Sequence, residues 1–117
     1  MNQEPKPVKT EMDLDQLVKG EVVIIDNVSS TSNRQERPFV YAGINRYSKE
    51  HQFVTRSEAE NPIILLEVKK DDFFYSDKGS LMLKEQARVF SCFYNDRGYV
   101  SKKDYNLYDR LLNDSGL

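Results

Sequence analysis

The stretch SLMLKEQARVF, residues 80–90, decides the fold. Most of its residues are good helix formers, and a helix here would make the chain a mixed α/β protein. Its apolar pattern argues otherwise. Leu81, Leu83, Glu85, Ala87 and Val89 alternate with Met82, Lys84, Gln86 and Arg88, the period of a strand rather than of a helix. We read it as one strand, or two joined by a bend. Upstream, PIILLEV (62–68), HQFVTR (51–56), FVYAGI (39–44) and GEVVIID (20–26) are short runs rich in β-branched and aromatic residues, as strands are. Pro38 and Pro62 fit as strand openers, where a missing N–H costs least. FFYSD is a short edge strand or loop, KKDD a turn, and NVSSTSNRQE a polar loop whose side chains favour turns.

Downstream, NDRG signals a turn, and Ser101 with Asp104 three residues on opens a helix. In SKKDYNLYDRLL, Tyr105, Leu107, Tyr108, Leu111 and Leu112 share one face. Residues 13–19, DLDQLVK, suit a single helical turn capped by Asp13. Residues 1–12, with two prolines and little apolar content, read as a flexible tail. The expectation is a single domain over 13–117. It is mainly β with a C-terminal helix, a small barrel or strongly curled sheet.

A chain of 117 residues is enough for one domain. With 38% hydrophobic and 31% charged residues it has a globular, not a disordered, balance. Cys92 is the one cysteine, so no intramolecular disulfide forms; this fits a reducing, cytoplasmic compartment. Within VFSCFY it reads as a small buried hydrophobe. No apolar run approaches the roughly 20 residues of a membrane helix, and the first residues lack the apolar core of a signal peptide. A net charge of −2 gives no global footprint for nucleic acid, so binding to RNA would need a local basic patch.

Few residues carry recognisable chemistry. Asp13, Asp15, Asp71 and Asp72 have no ligand partners at metal-binding spacing, so neither a metal nor another cofactor is expected. Lys69 and Lys70 offset Asp71 and Asp72 in a solvated turn, and His51 beside Glu50 reads as an exposed turn histidine. Tyr94 and Tyr99 are candidates for stacking on bases, whereas Tyr105 and Tyr108 belong to a helix core. Arg37, on the doorstep of a strand, is either a solvated edge charge or an anion hook on a rigid element.

Four pieces, in order, resemble the MazF/PemK toxins, which are small SH3-like barrels. KGEVVIID (19–26) is similar to the family's opening strand, and ERPFVYAGIN (36–45) to its Arg-Pro strand. SLMLKEQARVF is similar to its Ser-apolar-Gln-x-Arg segment, and RGYVSKKDYNLYDRLL (97–112) to its closing turn and helix. The resemblance implies a metal-independent endoribonuclease that cleaves single-stranded RNA, works as a homodimer and is inhibited by a cognate antitoxin occupying the RNA groove. By position it implies Arg37 and Thr55 as the catalytic pair, with Ser57 as the alternative to Thr55. Arg34, Arg56, Gln86 and Arg88 are the RNA-binding candidates, and Arg46 a further basic residue near the groove. Arginine suits the chemistry because its planar donors match a phosphate bidentately and stay charged. The alternative is a catalytically inactive relative serving as a protein-binding or regulatory module. The net acidic charge and the absence of glycine from residues 27–36 point that way, as would carboxylates such as Glu36 and Glu58 filling the groove.

Overall fold

A computed structural model describes residues 4–26, 36–56, 63–84, 88–92 and 101–117; for 88–92 and Lys102 it describes the backbone alone. Helix α1 spans Glu11–Asp15. Strands β1 (Val22–Asp26), β2 (Glu36–Ile44), β3 (His51–Arg56) and β4 (Ile63–Val68) follow. A 3-10 turn at Lys70–Asp72 leads to β5 (Phe73–Phe74), β6 (Leu81–Leu83) and β7 (Arg88–Cys92), and helix α2 spans Lys102–Asp114. The stretch 80–90 is thus two strands. They sit toward opposite edges of one sheet ordered β5-β6-β1-β2-β3-β4-β7.

That order requires a curl. In a flat sheet β6 and β7 would lie five strand spacings apart, roughly 24 Å. The chain from Leu83 to Arg88 reaches at most about 17 Å. The same curl carries Phe73 of β5 to within 5.9 Å, edge-to-face, of Phe53 in β3. The protein is therefore mainly β, a half-barrel sheet with one C-terminal helix.

Strands β1 to β4 are covered on both faces, which is why they read as continuous apolar runs rather than clean alternations. The concave face holds Val23, Ile25, Phe39, Tyr41, Phe53, Leu66 and Val68. The convex face holds Val22, Val40, Ala42, Val54, Ile63 and Leu65 against Tyr105, Tyr108 and Leu112 of α2. Ser101 caps α2, accepting from the Asp104 N–H at 3.2 Å. Leu107, expected on the buried face, is exposed.

Three expectations change. The flexible 1–12 tail does not hold for Lys6–Thr10. The Lys6 N–H donates to the Val22 carbonyl at 2.7 Å and the Val8 N–H to the Gly79 carbonyl at 2.9 Å. Val8 itself is fully buried, closing the concave core with Leu14 and Leu17. The cap of α1 is Thr10, not Asp13. Asp13 sits three residues inside and completes a reciprocal box: it donates its N–H to Thr10 Oγ1 at 3.2 Å and accepts the Thr10 N–H at 3.2 Å. Pro38 lies inside β2 rather than opening it. The Tyr41 N–H points to β1, donating to Glu21 at 2.8 Å, so by alternation the 38 position faces β3. The β2–β3 ladder reaches only to Val40↔Val54, so the proline removes no ladder bond.

Candidate functional site

Register builds the site. Arg37 lies opposite Ile25 on β1, on the concave side of the sheet. Val40 opposite Val54 is the last pair of the β2–β3 ladder at this end. Arg37 has the parity of Phe39 and Thr55 that of Phe53, so both side chains lie on the concave side of neighbouring strands. Both lie at one end of the sheet, where the Thr55 hydroxyl reaches the main chain next to Arg37.

The two side chains differ in what they offer. Arg37 is half-buried. Thr55 is 5% exposed, and its hydroxyl donates to the Pro38 carbonyl at 2.9 Å. That bond fixes the main chain one residue beyond Arg37, so Thr55 acts here as a positioning residue for β2. Glu36 pairs with Asp26 across β1–β2, so it lies on the convex face, away from Arg37. Asp26 Oδ1 is buried without a hydrogen-bond partner, a feature no sequence pattern announced.

Arg56 parts from Arg37, because successive residues of a strand face opposite sides. It is engaged with the C-terminal helix on the convex side. Its Nε donates to the Leu117 main-chain oxygen at 2.9 Å, and its Nη2 to Asp109 Oδ1 and Asn113 Oδ1, both at 2.8 Å. Arg88 is described by its backbone, paired with Glu67 on β4. Arg34, Ser57 and Gln86 lie outside the described residues, as do Glu58, Tyr94 and Tyr99. Arg46 is exposed, its guanidinium 5.9 Å from the Tyr47 ring.

At the other end of β2 and β3, the structure buries a histidine that the sequence reading put in an exposed turn. His51 opens β3 and is 5% exposed, with Nδ1 2.7 Å from the Tyr41 hydroxyl. Burial lowers its pKa from the usual 6.5, helped by Lys70 and opposed by Asp15. Burial, with Asp15 nearby, pushes the Tyr41 phenol up to about 12. The hint was in the sequence: in HQFVTR, position 51 has the same parity as the core residue Phe53. Arg37 and Ile44, the partner of His51, are seven steps apart along β2, roughly 20 Å. His51 is therefore not the acid or base of an Arg37 site.

No protein-family model, curated protein or solved structure matches this chain. Among the described residues no group of three or more His, Cys, Asp or Glu side chains is placed to hold a metal ion. None of their helices is long and apolar enough to cross a membrane.

Proposed function

We propose that the protein is an endoribonuclease that cleaves single-stranded RNA by metal-independent transesterification, with Arg37 anchoring the scissile phosphate. The observation that supports this reading is the bond from the Thr55 hydroxyl to the Pro38 carbonyl, which ties β3 to the main chain next to Arg37. In the reaction the ribose 2′-oxygen attacks the adjacent phosphorus and the 5′-oxygen leaves. The 2′-hydroxyl proton ends on that 5′-oxygen, so no second reactant is consumed. The products carry a 2′,3′-cyclic phosphate and a 5′-hydroxyl. A guanidinium held on a strand contributes by binding the two non-bridging oxygens as charge builds on them. Thr55 contributes by holding the Pro38 carbonyl, and with it the Arg37 end of β2. Following the resemblance to MazF/PemK toxins, the chain is the cytoplasmic toxin of a toxin–antitoxin pair. It works as a homodimer, and an antitoxin segment competes with RNA for the same groove.

A second reading is a non-catalytic binding module of the same fold. It is favoured by the Thr55 hydroxyl, which is buried and already donated to Pro38, so it has no proton to give a phosphate. Incubation of the purified protein with a long mixed-sequence RNA and a chelator separates the two. Discrete fragments support the nuclease. Intact RNA from folded protein supports the module.

A further inference from the structure

We infer that the cavity between α1, the start of β3 and the Lys70–Asp72 turn is a binding site for a small oxyanion, a phosphate or carboxylate group. It is separate from the Arg37 end of the sheet. The cavity has a volume of about 270 Å³ and is lined by Glu11, Lys49, His51, Lys69, Lys70 and Asp71. Its buried wall is His51. Tyr41 Oη has no other hydrogen-bond partner; we assign it as the donor to His51 Nδ1, which puts the ring proton on Nε2. That second nitrogen has no partner, and it is not among the buried polar atoms sealed from solvent. His51, 95% buried, thus presents an unpartnered nitrogen to a cavity, where water or a ligand oxygen is its acceptor.

The charges around it agree. Lys70 is committed to Asp15 at 2.7 Å. The ammonium groups of Lys49 and Lys69 have no ion pair among the described residues. Lys49 is also the one described non-glycine residue with positive φ, at 63°. Glu11 and Asp71 are exposed at the rim, so the site favours a ligand with an oxyanion inward and hydrogen-bond donors outward over a bare polyanion.

His51 is the only histidine in the chain, so its ring resonances need no assignment. The test follows the ring ¹⁵N and ¹H signals of the intact protein during titration with inorganic phosphate and, separately, with sodium acetate. Sodium chloride at equal ionic strength is the control. The expected result is a saturable shift with phosphate, acetate or both, the stronger responder identifying the group. Lys49→Ala and Lys69→Ala, both surface changes, each weaken the binding about tenfold, the loss of one charge-assisted hydrogen bond. A response matched by chloride, or one that both lysine variants leave intact, overturns the proposal. RNA cleavage is a separate readout and does not bear on it.

Discussion

Replacing Arg56 by alanine separates a structural arginine from a nucleic-acid contact. The guanidinium ties β3 to α2 through three hydrogen bonds, to Asp109, Asn113 and the Leu117 main-chain oxygen. The ion pair is partly exposed, with 34% and 41% of the two side chains accessible, so screening leaves it at most about 1 kcal/mol. The other two bonds are exchanged for bonds to water and contribute about 0.5–1 kcal/mol each. Arg56→Ala is therefore expected to destabilise the protein by about 1–3 kcal/mol. Asp109→Asn should cost under about 1 kcal/mol, and the Arg56/Asp109 coupling in a double-mutant cycle should be similarly small. Urea unfolding measures this as a lower midpoint at unchanged slope. Stability within about 0.5 kcal/mol of wild type, together with a loss of RNA affinity, would refute the reasoning and return Arg56 to the RNA-binding set.

Three other perturbations follow from the same contacts. Tyr41→Phe leaves His51 Nδ1 buried without its donor and should cost about 1–3 kcal/mol in urea unfolding; a neutral outcome would mean that water replaces the hydroxyl. Because the folded pKa of His51 lies below its usual 6.5, the unfolded chain binds the extra proton first. Its contribution to stability is thus full above about pH 6.5 and declines as pH falls below that. His51→Phe should flatten that part of the curve, and an unchanged slope would exclude His51 as its source. Gly79→Ala places a Cβ 2.7 Å from Pro7 Cβ at a φ of +82°, whereas at Gly20, with φ +100°, the added carbon meets nothing within 4 Å. Both substitutions carry the left-handed strain of about 1–2 kcal/mol. Gly79→Ala alone should also speed amide exchange at Val8, whose N–H donates to Gly79; equal effects at the two glycines would argue against docking of the N-terminal segment.

What the sequence disclosed depended on the range of the interaction. The strand over 51–56 was legible from local pattern alone, and so was the strand character of 80–90, whose alternation left one strand or two open. The docking of Val8 was not, because one apolar residue between polar neighbours and a proline has no period to detect. Burial of His51 depends on α1 and the turn after β4 closing over the start of β3, and the Arg56 contacts on α2 returning from about fifty residues away. The Arg56 contacts leave no local trace, and the burial of His51 leaves only its shared parity with Phe53. For the site, strand parity puts Arg37 and Thr55 on one side of the sheet. Burial then assigns the Thr55 hydroxyl to the backbone, which residue type alone does not reveal.

The central claim rests on Arg37, and the most direct measurement is RNA cleavage in the presence of chelator. Wild type runs beside Arg37→Ala and Arg37→Lys, with product ends analysed and each fold checked by circular dichroism. Wild type is expected to give discrete fragments ending in 2′,3′-cyclic phosphate. A loss of roughly a hundredfold to a thousandfold is expected in Arg37→Ala. Arg37→Lys should give only partial recovery, since an ammonium cannot grip a phosphate with two parallel donors. Intact RNA with folded wild type, or cleavage that survives Arg37→Ala, would contradict the claim.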